Sequence, residues 1–258
     1  MFKRKGDGIG LALSGGAARG FAHIGVVKVL QQNEIPIGYV TGTSVGSIVG
    51  ALFCGGYGWQ EMIDIAQSLK WPELVSPTLS GMGLVSSKKL ERFMGELLGE
   101  LDFDELEIPF RAVAVDISRG EEVVFSSGSV ARAVRASSAV PGIFEPLVVD
   151  DRALVDGGVL NNLPVALARD MGARQVIAVD LNAERADVAQ PVNLLDVTLR
   201  SFVMLLNASS IDGREDADVL IQPALDEFSY HDLSVADELV KRGEEAASSV
   251  LKKLKKLR

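Results

Sequence analysis

Ser44 stands in Gly42-Thr43-Ser44-Val45-Gly46, a serine with glycine two positions away on either side. A short apolar run ends at Tyr39-Val40 and a helical pattern opens at Val45, so the serine falls on a strand-to-helix turn. A turn that sharp forces its central residue into sparsely populated backbone angles, and small residues at 42 and 46 let the chain fold back past it. The hydroxyl is then pushed toward a substrate at a helix N-terminus, where unpaired N–H groups and the dipole favour developing negative charge. This is the spacing of a nucleophile elbow, and its chemistry is acyl transfer.

A serine hydroxyl needs a group to take its proton. The chain has two histidines. His23 follows Arg19 by one helical turn and reads as a packing residue. His231, in Phe228-Ser229-Tyr230-His231-Asp232, completes the order Ser44, Asp156, His231 of the α/β-hydrolases, although those enzymes build several strands before the elbow and here Ser44 follows only the second. The other candidate base is Asp156 itself, which ends a strand in Asp156-Gly157-Gly158. A carboxylate, with a reference pKa of about 3.9, is a weak base in water, so direct proton acceptance requires a poorly hydrated site. Taken alone, Asp-Gly-Gly is most often just a turn.

Ser14-Gly15-Gly16-Ala17-Ala18-Arg19-Gly20 lies between the first strand and first helix, where successive backbone N–H groups can cradle an anion. The spacing misses G-x-G-x-x-G, no acidic residue lies where a ribose would be held, and there is no G-K-[S/T] ending, which argues against dinucleotides and P-loop phosphates. With the elbow on the next strand, the loop is placed to hold the oxyanion of an acyl-transfer intermediate. Gly15, Gly16 and Ala17 would donate N–H groups, and Arg19 would add positive charge.

These residues need a frame. Period-two and apolar runs predict strands at 9–13, 110–116, 122–125, 147–149, 152–155, 175–181 and 218–222. Helical periodicity predicts helices at 59–69, 87–98, 130–138, 164–171, 193–212 and 235–257, besides those after the loop and the elbow. Residues 70–86, with Pro72, Pro77, Gly81 and Gly83, read as a long loop. The alternation implies an α/β fold: a mainly parallel central sheet with helices on both faces, three layers in all, interrupted by one antiparallel hairpin at 147–155. A single domain over residues 1–258 is expected.

Composition narrows the setting. Hydrophobic residues make up 47% and charged residues 24%, the balance of a globular chain, and the net charge of −9 argues against a general nucleic-acid binder. One cysteine, Cys54, excludes an internal disulfide, suits a reducing compartment and reads as a small buried hydrophobe. Met1-Phe2-Lys3-Arg4-Lys5-Gly6 is basic but lacks the apolar region of a secretory signal, and no uninterrupted apolar stretch nears the ~20 residues that span a bilayer. The expectation is a cytoplasmic protein. Its basic ends, including Leu251 to Arg258, could also touch a membrane surface, while the lysines equally complement a helix C-terminus and stay hydrated.

With the glycine loop, the elbow and Asp156-Gly157-Gly158 in this order, the sequence resembles the patatin-like phospholipase family, whose catalytic fold is similar to that of cytosolic phospholipase A2. Ala139 to Pro146 and Asn161-Asn162-Leu163-Pro164 also look like family segments, and the size is similar to that of the short bacterial branch. The resemblance implies Ser44 as nucleophile, Asp156 as sole base, no catalytic histidine and neither metal nor cofactor. It implies hydrolysis of a lipid acyl ester through an acyl-Ser44 intermediate. Ala17 departs from the family's glycine-rich pattern, and the loop survives this if its backbone angles do not demand glycine. The acyl groove would be drawn from the 70–86 loop, Ile143-Phe144 and Val203-Met204-Leu205-Leu206. Two other functions fit the same motifs: a His231-dependent esterase for small soluble esters, and a weakly active regulatory or scaffolding protein on the same fold.

Overall fold

The computed structural model describes residues 8–182, 190 and 192–257. β1 (Ile9–Leu13) leads through a 3-10 turn (Ala17–Gly20) into α1 (Phe21–Gln32), and β2 (Tyr39–Thr43) runs directly into α2 (Val45–Cys54). Next come α3 (Trp59–Ser68), α4 (Trp71–Leu74), a two-residue hairpin of β3 (Ser76–Pro77) and β4 (Val85–Ser86), and α5 (Lys88–Leu98). The second half holds β5 (Phe110–Asp116), β6 (Glu121–Phe125), α6 (Val130–Ser137), β7 (Leu147–Val149), β8 (Arg152–Asp156), α7 (Val165–Asp170) and β9 (Gln175–Val179). It closes with α8 (Leu194–Ala208), α9 (Ile211–Asp216), β10 (Val219–Ile221), α10 (Ala236–Ser249) and α11 (Leu251–Leu254).

Three expectations change. The 70–86 stretch is a flap built from α4 and the β3–β4 hairpin rather than an irregular loop. The expected 193–212 helix stops at Ala208: the Ser210 N–H turns to the Asn207 carbonyl (3.4 Å), and the Ser210 hydroxyl takes the Leu206 carbonyl (2.7 Å) to which that N–H would donate in a continuing helix. Besides the β7–β8 hairpin, β6 also pairs antiparallel with β5, so the sheet holds two such excursions.

β10, β9, β1, β2 and β5 lie side by side and parallel. Residues 112–116 of β5 pair with β6, which occupies one edge of that strand. The other edge is divided. β2 covers its first half up to Thr43 opposite Val113, and β8, running the other way, covers the second half down to Asp156 opposite Ala114. Two strands therefore end head to head on consecutive residues of β5. Ser44 follows one end, and Asp156 is the other.

Side-chain alternation along the strands sorts the core into two sides. Ile9, Leu11 and Leu13 of β1 face the large core under α1, α2, α5 and α10, while Ala12 faces a smaller one with Leu163, Val165 and Ala168 around α7. Both faces of the sheet are covered, which is why its strands are near-continuous apolar runs. Cys54 is fully buried, and burial pushes its thiol up. In the tail, Leu251 and Leu257 pack on the core, Leu254 is buried, and Lys252, Lys253, Lys255 and Lys256 are exposed. The basic segment at residues 1–6 lies outside the described residues.

α1 and α10 touch backbone to backbone at two glycines. A Cβ on Gly25 would lie 1.9 Å from the Val240 carbonyl oxygen, and one on Gly243 would lie 1.9 Å from that of Ala22. Neither neighbour can swing aside, so Gly25→Ala must push α10 off α1 and is expected to cost on the order of 2 kcal/mol or more, read as a lower urea midpoint.

Candidate active site

Ser44 occupies a backbone conformation with φ 53 and ψ −126, a positive φ that non-glycine residues seldom adopt. Its surroundings hold it there. Its N–H donates to Ser137 Oγ (2.9 Å), and its carbonyl accepts from the N–H and hydroxyl of Ser47 (2.8 and 2.6 Å). The glycines of the elbow are sterically required: a Cβ at Gly46 would lie 2.2 Å from the Leu13 carbonyl oxygen, and one at Gly42 would lie 2.5 Å from that of Gly46.

Asp156 is fully buried at the end of β8. Its N–H donates to the Ala139 carbonyl (2.9 Å), and its Oδ1 accepts the Gly158 N–H (2.8 Å). Its Oδ2 has no hydrogen-bond partner. Burial raises the carboxyl to about pH 7, with the Ser44 hydroxyl and the Gly158 N–H opposing part of the rise. The close approach of β8 to β5 depends on Gly157, where a Cβ would lie 2.4 Å from the Val113 carbonyl oxygen.

The glycine loop lies against the elbow, since a Cβ on Gly15 would come within 3.0 Å of Ser44 Cβ. Gly15, expected to donate to an oxyanion, is otherwise engaged: its N–H donates to Asn162 Oδ1 (2.9 Å) and its carbonyl accepts from Asn182 Nδ2 (2.7 Å). In a trans peptide the C=O and the next N–H point opposite ways, so holding the Gly15 carbonyl turns the Gly16 N–H away from Asn182. Among the described residues, the Gly16, Ala17 and Val45 N–H groups have no backbone or side-chain acceptor, while Ala18 and Arg19 donate to Tyr230 and Gly16. Ala17 sits at φ 47, the left-handed region that favours glycine, so alanine is accepted there under strain on the order of 1 kcal/mol.

Comparison with known proteins identifies the family. Residues 11–169 match the family described as patatin-like phospholipase. The chain belongs to the patatin-like phospholipase family. An uncharacterised NTE family protein of Mycobacterium bovis is 37% identical over 185 residues, covering 70% of this chain and 51% of that protein. The chain thus spans about half the length of such relatives. Neuropathy target esterase sws of Drosophila melanogaster is 33% identical over 69% of this chain and 13% of its own, and lysophospholipase NTE1 of Pyricularia oryzae is 27% identical over 97% and 19%. Among solved structures, VipD from Legionella pneumophila shares the patatin fold with a TM-score of 0.66 at 14% identity, over 97% of this chain and 67% of that one.

In this patatin-like site Ser44 opens onto an apolar cavity of about 140 Å³. One face of α2, Val45, Ile48, Val49 and Leu52, forms a wall, and Met62 and Phe144 also line the cavity. From the expected groove, Leu74 and Val75 of the flap and Phe144 line the cavity. Ile143 and residues 203–206 do not: Val203 and Leu206 are core, and Met204 faces outward. Among the described residues no cluster of His, Cys, Asp and Glu could hold a metal ion.

Arg19 is corrected from an oxyanion ligand to a strut. Its guanidinium donates to the Phe228 carbonyl (3.0 and 2.9 Å) and to Tyr230 Oη (2.9 Å) and stacks on the Tyr230 ring. Tyr230 in turn donates to Asn182 Oδ1 (3.1 Å), so the Arg19 guanidinium is linked to the Gly15 carbonyl only through two other side chains. His23 is buried and neutral, its pKa lowered to about 4 by burial, with Nε2 on the Ser14 carbonyl (2.8 Å). His231 is exposed, bonded to Ser229 Oγ (2.8 Å), and is not in the cavity wall. Sequence reasoning passed over Ser137, Asn182 and the clamping role of Asn162. Only Asn162 carried a signal, as part of Asn161-Asn162-Leu163-Pro164.

Burial of Asp156 has a signed consequence. Its folded-state pKa, about 7, lies above the ordinary 3.8, so its contribution to stability is full below pH 3.8 and is lost as pH rises to 7 and beyond. Asp156→Asn carries no such charge. The variant is expected to exceed wild type in unfolding free energy at pH 8 by on the order of 2 kcal/mol, with the gap narrowing toward pH 4, as measured by urea denaturation.

Proposed function

We propose that this chain is a serine acyl hydrolase that cleaves lipid acyl esters through Ser44 and Asp156. The observation that carries the reading is Asp156 Oδ2: a buried carboxylate oxygen with no partner, on a carboxyl whose proton affinity the Ser44 hydroxyl alters. A group with a pKa near 7 is matched to proton transfer at neutral pH. The names esterase and lysophospholipase among the relatives point the same way.

In this mechanism Ser44 Oγ attacks the ester carbonyl carbon while its proton passes to Asp156 Oδ2. The carbonyl oxygen takes the negative charge and meets the N–H groups of Gly16, Ala17 and Val45, held ready by the clamped loop and the N-terminus of α2. Collapse expels the alcohol, which leaves with the proton from Asp156, and the acyl group stays on Ser44. Water then attacks the acyl-serine, giving its proton to Asp156. Release of the acid returns that proton to Ser44 Oγ. A proton-accepting His231 has no support in the geometry, since that side chain is exposed and bonded within its own loop.

The acyl chain lies along α2. From Val45 to Leu52 the helix rises about 10 Å, room for roughly eight extended carbons beyond the carbonyl. Ile48 lies midway along this wall.

Two tests follow from this reading. Against a short-chain aryl ester, Ser44→Ala and Asp156→Asn should each lose about a thousandfold or more in kcat, while His231→Ala keeps wild-type turnover. Wild-type kcat/KM should rise with pH through about 7 as Asp156 ionises. Intact turnover in both site variants would overturn the assignment. Second, Ile48→Phe should narrow the channel, cutting hydrolysis of dodecanoyl esters about tenfold relative to butanoyl esters in a head-to-head kcat/KM comparison.

A further inference from the structure

The outward face of α8 is apolar along its whole length. Leu194, Val197, Ser201, Met204, Leu205 and Ala208 recur at helical spacing and are all exposed, Leu194 at 81% and Met204 at 69%. No charge lies on that face: the helix's ionised residues, Asp196 and Arg200, sit on its flank, paired at 2.9 Å. The hydroxyls are quenched as well. Thr198 and Ser201 donate to the Leu194 and Val197 carbonyls (2.9 and 2.8 Å), so none needs water. The stretch Leu194–Asp216 is apolar enough by length and composition to cross a membrane, yet Phe202, Val203 and Leu206 anchor its inner side in the fold. Such a helix lies along a surface rather than through it.

Its position links it to the cavity. Gly142 abuts Thr198 near the start of α8, a Cβ there falling 3.2 Å from Thr198 Cγ2. The same segment also holds the flap: the Leu84 and Val85 N–H groups donate to the Ile143 carbonyl (2.8 and 2.9 Å), and Leu79, Met82 and Leu84 of the flap are exposed. The 140–144 segment thus touches both α8 and the flap, and its Val140 and Phe144 line the cavity.

We propose that the outer face of α8, with the exposed flap residues Leu79, Met82 and Leu84, is an interfacial docking surface that sets the cavity entrance against a lipid bilayer. The occupant is a lipid surface because the face offers hydrocarbon without charge or unsatisfied polar groups and adjoins the cavity that, on the proposed function, receives an acyl chain. Contact through the C-terminal lysines would require anionic lipid and disappear in high salt. Docking through α8 requires neither.

The test is flotation of the full chain with neutral phosphatidylcholine vesicles, beside hydrolysis of a dispersed butanoyl aryl ester. Wild type should float with the vesicles, and at about 0.5 M salt as well. Leu194→Glu with Met204→Glu should lose about tenfold or more in vesicle partition while soluble-ester turnover holds, and Met204→Leu should bind as wild type. A Met204→Trp variant, whose emission should shift to the blue with vesicles, gives an independent reading if the double variant unfolds. The proposal falls if wild type does not float, if the charged variant floats equally well, or if wild type is a dimer that the charged variant splits, which would seat a second copy on this face. Flotation lost in the variant with no ester turnover by any form would support the docking surface and sink the hydrolase reading instead.

Discussion

Everything at the candidate site depends on how one edge of β5 is shared. A strand edge has a single row of hydrogen-bonding groups, and here β2 takes the first part while β8, from the opposite direction, takes the rest. Neither can be extended without colliding with the other. That exclusion fixes where Ser44 and Asp156 lie, and it is enforced by backbone pairing rather than by any property of the two side chains. Glycines at 42, 46 and 157 admit the close backbone approaches this junction demands.

The junction also determines the electrostatics. Its backbone groups are used up in the sheet and in the 137–139 segment, where Ser137 Oγ accepts the Ser44 N–H and the Ala139 carbonyl accepts the Asp156 N–H. The Asp156 carboxyl is left with one N–H and one empty oxygen in a space without water-facing surface. An ionised carboxylate is costly there, and the fold tolerates it because the sheet around it is stabilised elsewhere, in the large core beneath α1 and α10. Asn162 and Asn182 perform the matching task for the glycine loop by gripping the two sides of one peptide.

Much of this was legible in the sequence, and the reasons differ by residue. The turn at Ser44 could be read because an apolar run ends just before it and a helical pattern opens just after it, and β1 was read to the residue from its apolar run. The parallel sheet followed from alternation. Gly15 and Arg19 were misjudged because loop composition tells which N–H groups exist but not which ones distant side chains already hold. The partners, Asn162, Phe228 and Tyr230, lie more than a hundred residues away. The break after α8 was missed for a subtler reason: serines continue a polar–apolar period perfectly well while their hydroxyls compete for the helix's own carbonyls.

The head-to-head arrangement on β5 joins residues far apart along the chain, with Ser44 directly after the second strand and Asp156 at the end of the eighth. On a ribosome, the elbow and its helix emerge and can pair with β1 many seconds before the carboxyl has been synthesised. A nascent chain that has built the first half of the sheet therefore carries Ser44 in its strained turn before Asp156 exists. The edge of β5 therefore stays half open until β8 has been made, and the order of synthesis makes this junction the last part of that half of the sheet to close.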